Sequence, residues 1–238
     1  MKRIIKLLAL AAIILTTTSC YEYELIMPSG GVRSFQRNTR SFDRINVSNG
    51  IELYITQDNR NSLIVETNSN LHEFIITEVK DRTLRIYRDR SVRFFGNPRV
   101  KVFISCNYLE TIHSSGGGLV EFETLWYGNS LGCYLSGGGE LYADLDLLDF
   151  DLSLSGGSYA ETYGFADNLY ITSSGGSRLI SNELQSQYCN INISGGGLAR
   201  VRVAQRLNVD ASGGSKVLFI GNPFITSNLS GGSIVARY

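Results

Sequence analysis

Histidine, proline and an excess of either charge are what this sequence lacks. Two histidines, His72 and His113, and no Cys-x-x-Cys pair leave too few ligands for a zinc centre. Three prolines argue against a proline-rich linker or stalk. The 22 Lys+Arg balance 22 Asp+Glu, and residues 1–19 carry Lys2, Arg3 and Lys6 with no acid, so the remainder stands at 19 against 22, formally −3. A nucleic-acid partner would call for a basic surplus. No helical period appears after the leader, and the one long apolar run, Ile4 to Leu15, is short for a membrane span. Glycine, by contrast, is concentrated: 21 of the 25 lie between Gly116 and Gly232. With 43% hydrophobic residues the chain has ample material for a core, so these glycines read as ordered turns rather than as disorder.

The leader, residues 1–19, joins a basic start to an apolar run and then to small residues before Cys20, the pattern of a secretory signal. It looks like a bacterial lipoprotein signal, with Thr18-Ser19-Cys20 in the small-small-Cys positions, although Thr17 stands where leucine is usual. Lipid on Cys20 would hold the protein to a bilayer, each buried methylene contributing about 0.8 kcal/mol. Residues 20–40, without clean periodicity and with Pro28, Gly30 and Gly31, read as a tether. The location expected is the cell envelope, as an outer-membrane lipoprotein.

The triplet Ser-Gly-Gly recurs at Ser115, Ser136, Ser155, Ser174, Ser194, Ser212 and Ser230, at spacings of 21, 19, 19, 20, 18 and 18 residues. A period this short belongs to a solenoid coil rather than to a propeller blade. Before each serine the chain alternates. Leu131/Cys133/Leu135, Phe150/Leu152/Leu154 and Leu207/Val209/Ala211 occupy one face, and a polar column of His113, Tyr134, Ser153, Thr172, Asn192, Asp210 and Asn228 occupies the other. Each repeat is thus a half-buried strand that ends at a glycine corner. The fold predicted over 109–238 is an all-β, right-handed parallel β-helix of about seven coils, the hand following the crossover rule. The first coil is irregular, because Leu109 and Ile112 are three apart.

Residues 41–108 are also β and are expected to cap the N-terminal end of the solenoid. Ile51 to Ile55 alternates after the turn signal Ser48-Asn49-Gly50, and Phe74–Val79 and Leu84–Tyr87 flank Lys80-Asp81-Arg82-Thr83 as a hairpin. The opening Phe42-Asp43-Arg44-Ile45-Asn46-Val47-Ser48-Asn49-Gly50-Ile51-Glu52-Leu53-Tyr54-Ile55, followed by the recurrent Ser-Gly-Gly corners, resembles the putative auto-transporter adhesin head GIN domain family over about residues 40–238. The resemblance implies a β-helical envelope protein with an adhesive role and brings no catalytic residues.

Chemistry-bearing groups are few. With Cys20 set aside, Cys106, Cys133 and Cys189 remain, and the last two fall on inward phases about three coils, or roughly 14 Å, apart. That is beyond disulfide reach, so they read as buried thiols. Asp144, Asp146, Asp149 and Asp151 form the one acidic cluster that a polysaccharide lyase or hydrolase could use, but no acids match them in neighbouring coils. No glycine-rich stretch opens a helix or precedes Lys-Ser/Thr, so no nucleotide or other cofactor is expected, and no metal. Arg82, Arg85, Arg88, Arg90 and Arg93 form a basic cluster interleaved with Glu78, Asp81 and Asp89. The expected function is that of a non-enzymatic surface protein that binds a glycan or protein partner. Its candidate ligand face is Tyr134, Tyr159, Tyr170, Asn192 and Asp210, with aromatic rings to stack on sugars. Self-association through the C-terminal coil is the further partner expected, since an exposed strand edge invites pairing.

Overall fold

The computed structural model describes residues 23–238, so the leader and Cys20 lie outside the described residues. Its first strands are β1 (Glu24–Ile26), β2 (Val32–Gln36), β3 (Arg44–Val47), β4 (Glu52–Gln57) and β5 (Ser62–Asn68), followed by a 3-10 turn at Ser69–Phe74. Then come β6 (Ile75–Lys80), β7 (Thr83–Arg88), β8 (Val92–Phe94), β9 (Lys101–Cys106), β10 (Thr111–Ser114) and β11 (Leu119–Phe122). The repeats contribute five long strands: β12 (Trp126–Leu135), β13 (Glu140–Leu154), β14 (Tyr159–Ser173), β15 (Arg178–Ile193) and β16 (Leu198–Ala211). The chain closes with β17 (Lys216–Ile220), β18 (Phe224–Leu229) and β19 (Ile234–Arg237).

Neighbouring layers pair in parallel, and the chain is a β-solenoid of about seven turns, as the repeat predicts. Alternation is the physical cause. In β13 the buried residues are Leu141, Ala143, Leu145 and Leu147, and then Phe150, Leu152 and Leu154, while Leu148 and Asp149 both face outward. Two outward residues in succession mark where the strand bends from one sheet to the next. A single run of chain therefore serves two sheets of the prism.

The inward columns stack like on like. Leu131, Phe150, Leu169, Cys189 and Leu207 are register partners in successive layers, as are Cys133, Leu152, Ile171, Ile191 and Val209. Cys106, Cys133 and Cys189 are free and buried, the last two on the inward phases expected of them. Burial pushes the Cys106 thiol up to about 12 and raises the other two as well, so all three pack as small neutral hydrophobes.

The glycine corners stack on one another. Gly116 has φ 78°, and a Cβ on it would stand 3.1 Å from the Asn49 nitrogen in the adjoining layer; one on Gly195 would stand 2.6 Å from the Gly175 carbonyl oxygen. Asn49, at φ 65°, and Gly50 make the corner of the β3 layer, so Ser48-Asn49-Gly50 is a further corner in the same column, with asparagine in place of the first glycine. In the four corners whose fourth residue is serine, that serine closes the turn: Ser158, Ser177, Ser215 and Ser233 donate to the carbonyls of Ser155, Ser174, Ser212 and Ser230 at 2.7, 2.9, 2.7 and 2.9 Å.

The N-terminal residues add two features to the expected layout. Part of residues 41–108, expected as a cap, lies further in, as a layer of the solenoid itself. β3 lies between β7 and β10, and β4 between β9 and β11, all parallel, so the 44–57 layer is inserted between 83–106 and the first glycine-cornered coil. Only beyond that outer layer does pairing turn antiparallel, with β6 on β7, β5 on β9 and β2 on β5. The tether expected over 20–40 is also corrected within the described residues. β1 pairs in parallel with β8, and β2 pairs with β5. Every residue of β2 is exposed, so with no buried face it has no hydrophobic alternation to reveal it in sequence. The irregularity before the first corner is a loop over 107–110, after which the alternation restarts at Thr111 with Leu109 buried beneath it.

Candidate functional site

The polar column predicted before the serines is a true ladder. His113, Tyr134, Ser153, Thr172, Asn192, Asp210 and Asn228 are successive register partners, extended at the N-terminal end by Asn46 and Arg85. Beside it runs a second outward row of Asp151, Tyr170, Asn190, Asn208 and Thr226. Of the five candidate ligand residues, Tyr134, Tyr170, Asn192 and Asp210 therefore share one sheet. Tyr159 does not, because it precedes the bend and lies in another sheet between Glu140 and Arg178.

The two tyrosines of the first sheet differ in availability. Tyr134 lies over Gly132, stacks on His113 at 4.6 Å and 12°, and donates its hydroxyl to Asp151 at 2.9 Å. Burial and the Asp151 carboxylate push its hydroxyl up to about 12. Burial likewise lowers the pKa of His113, which favours a neutral ring at neutral pH. Tyr170 is 42% exposed and offers an open ring. Asn190 accepts from Asn208 at 2.8 Å, a side-chain rung between layers.

Around Tyr159 the structure assembles a cluster that residue-by-residue reading missed. The Tyr142 and Tyr159 rings are neighbours, with centroids 5.9 Å apart and planes tilted by 50°. Tyr159 donates to Glu161 at 2.9 Å and Tyr163 donates to the same carboxylate at 2.5 Å, while Tyr142 donates to Glu140 at 3.4 Å. Further toward the N-terminal end of the same sheet, Tyr54 stacks on Phe103 at 5.0 Å and donates to Glu52 at 3.0 Å. Burial and adjacent carboxylates push the Tyr54 and Tyr159 hydroxyls up to about 12; for Tyr163 the Glu161 hydrogen bond comes first, followed by burial. These hydroxyls stay protonated, and the carboxylates keep unused lone pairs facing solvent. The signal available in sequence was the spacing Glu140-x-Tyr142 and Tyr159-x-Glu161-x-Tyr163, because residues two apart share a strand face.

The acidic cluster weighed for catalysis is spread out along β13. Asp149 accepts from Asn168 at 2.9 Å, and Asp151 is held by Tyr134. Among the described residues no three His, Cys, Asp or Glu side chains converge as metal ligands, and no helix is long and apolar enough to cross a membrane. At the C-terminal end, Ile225 and Leu229 of β18 continue inward columns that are buried one layer earlier at Leu207 and Ala211, yet they are 38% and 41% exposed.

No curated protein matches the chain significantly. Solved structures do. A "putative adhesin" from Bacteroides fragilis superposes with a TM-score of 0.81 at 20% identity, covering 89% of this chain and 98% of its own. A "putative lipid binding protein" from Parabacteroides distasonis gives 0.76 at 19%, covering 90% and 100%. A "putative adhesin" from Parabacteroides merdae gives 0.75 at 15%, covering 90% and 99%. At these identities the likeness is one of fold. The family model described as "Putative auto-transporter adhesin, head GIN domain" matches residues 41–223, a span from just before β3 to the loop after β17 that takes in the inserted N-terminal layer and all but the last of the seven corners, and the chain belongs to that family.

Proposed function

We propose that the protein is a non-enzymatic binding module of the cell envelope, held through lipid on Cys20 as an outer-membrane lipoprotein, whose sheets present side-chain ladders to a glycan. The leader and the adhesin family support the placement. The observation that carries the ligand class is the Tyr142–Tyr159–Tyr163 cluster. Its rings are held in place by Glu140 and Glu161, so apolar ring faces and outward carboxylate oxygens stand side by side on a rigid sheet. A sugar ring has the matching chemistry, with C–H faces to stack on tyrosine and hydroxyls to donate to carboxylates. Partners anchored on such a sheet meet little conformational entropy cost, because the strands are already ordered.

The test is a glycan array on a chain begun at Tyr21, which retains every strand of the core. Selective binding that weakens at least about tenfold in a Tyr142→Ala/Tyr163→Ala variant is the expected result, the loss of two stacked rings being worth more than about 1.4 kcal/mol. A Tyr134→Ala/Tyr170→Ala variant tests the other sheet on the same array. A blank array at high protein concentration removes the sugar and leaves a protein partner.

The exposed strand β18 supports a second partner, another copy of the chain. The residues of β18, Phe-Ile-Thr-Ser-Asn-Leu, are all exposed, and the strand has neither a charge nor an internal proline to discourage pairing. Sedimentation at high concentration is expected to show a dimer that Leu229→Lys dissociates. A strict monomer over the whole concentration range would end this reading.

A further inference from the structure

Two hollows open side by side at the N-terminal end of the corner column. The larger, of about 930 Å3, is bordered by Asn46, Ser48, Glu78, Arg85 and Tyr87. The smaller, of about 640 Å3, is bordered by Tyr23, Arg88, Arg93, Phe94 and Gly116. Asn49, Asp89 and Arg90 border both, so the two form one trough. It exists because the β6–β7 hairpin and the β8 segment stand beside the Ser48-Asn49-Gly50 corner, with the 44–57 layer inserted beneath them.

Four arginines meet here, and among the described residues none of Arg85, Arg88, Arg90 and Arg93 has a carboxylate oxygen within 4 Å. The two acids on the rim keep their charges, so four arginines against two carboxylates leave the trough net positive. Glu78 accepts from the Tyr87 hydroxyl at 3.0 Å, and Asp89 accepts from the Ser91 amide and hydroxyl, both at 2.8 Å. Arg88 is half-buried over the Phe94 ring at 5.3 Å and donates to the Pro98 carbonyl at 3.4 Å, and its Nε has no partner. Arg88, drawn partly out of water with no carboxylate within 4 Å, gains from a bound anion, and the exposed Arg85, Arg90 and Arg93 add attraction around it. Among the described residues Glu24, paired with Val92, is a further acid at this edge, and it is exposed.

What singles out the anion is the position of β1. β1 pairs with β8 residue by residue, Leu25 opposite Arg93, and the Arg93 guanidinium lies over the Tyr23 ring at 4.2 Å. Cys20 stands three residues before Tyr23, so whatever path those residues take, their Cα atoms are within about 11 Å of each other. A lipid held on Cys20 would thus keep Tyr23, which borders the trough, close to the membrane surface.

We infer that this arginine trough docks the phosphates of anionic lipid headgroups and so fixes how the solenoid stands on its membrane. The choice of a membrane phosphate rests on the lipid-anchor reading given above; the preference for an anion does not. β1, by pairing with β8, leaves a short stretch of sequence between Cys20 and the body, and the sheets proposed to bind glycan then stand near the anchor instead of swinging on a long tether.

The chain begun at Tyr21, free of lipid, tests the trough by itself. It is expected to co-sediment with vesicles containing phosphatidylglycerol and not with pure phosphatidylcholine vesicles, with binding that weakens as salt rises. Arg85→Gln, Arg90→Gln and Arg93→Gln together remove three exposed charges, each contributing several-fold near an anionic surface, so binding should fall on the order of 100-fold while the melting profile stays that of the parent. Equal binding to both vesicle types, or a triple variant that binds as the parent does, overturns the inference. Inorganic phosphate titrated into the chain distinguishes the source: saturation by phosphate without any vesicle preference makes this a soluble-anion site and overturns the membrane role. Labelled palmitate fed to cells expressing the full chain, with Cys20→Ala as control, reports on the anchor separately. Lack of label there removes the anchor while the vesicle result stands or falls unaided.

Discussion

Replacing Gly195 with alanine is expected to destabilise the protein by roughly 2–5 kcal/mol, whereas the same change one residue later, at Gly196, should leave stability within about 1 kcal/mol of the parent. Gly195 sits at φ 88°, where an L side chain is strained, and its Cβ would stand 2.6 Å from the Gly175 carbonyl oxygen and 3.0 Å from the Gly175 nitrogen. Both contacts are to backbone of the adjoining corner, so nothing can swing aside. Strain of about 1–2 kcal/mol and a comparable overpacking penalty add at one position. A Cβ on Gly196 meets nothing within 4 Å, and that residue lacks a positive φ. Alanine there removes freedom from the unfolded chain without touching a neighbour. Thermal melts of the pair check this: Gly195→Ala should lower Tm by something on the order of 5–15 °C and Gly196→Ala should move it little. Equal sensitivity at both positions would mean that the corners do not stack as described.

The second large effect is expected at Phe150, a fully buried ring in a column otherwise made of Leu131, Leu169, Cys189 and Leu207. Phe150→Ala should cost about 3–5 kcal/mol, because the neighbouring layers are held by backbone ladders on both sides and cannot collapse into the space. Phe150→Leu keeps more of that volume and matches its column, so a smaller loss follows. A solenoid couples each layer mainly to its neighbours. Hydrogen exchange in the alanine variant should therefore speed up first in β12, β13 and β14, with β3, β4 and β7 protected for longer. Uniform loss of protection along the whole chain would contradict that layered coupling.

Much of this architecture was readable from residue order, and the reason is periodicity. Alternation over five or six residues assigns an inward and an outward face, and a corner repeated every 18–21 residues sets successive strands in register. The column from His113 to Asn228 could be written down before any coordinates, and it is the ladder found. The hairpin around Asp81-Arg82 was legible too: its turn places both residues at positive φ, 50° and 59°, and strand pairing closes on either side.

Other features belong to the tertiary structure alone. Whether β4 pairs with β9 or follows it leaves the same alternation in the sequence, so the insertion of the 44–57 layer is decided by which edges meet. The strands β1 and β2 have no core face, and without burial there is no pattern to read. Tyr134 and Tyr159 are both outward by phase, yet the bend marked by Leu148 and Asp149 in the intervening layer sends them to different sheets, and the same bend gathers Tyr142, Tyr159 and Tyr163 on one. The arginine trough needs three separate segments brought to one corner. Sequence by itself determined what repeats, because backbone hydrogen bonding and side-chain alternation are local rules. Which surfaces come together is settled only when layers stack, since long-range pairing is chosen by the packing of the whole.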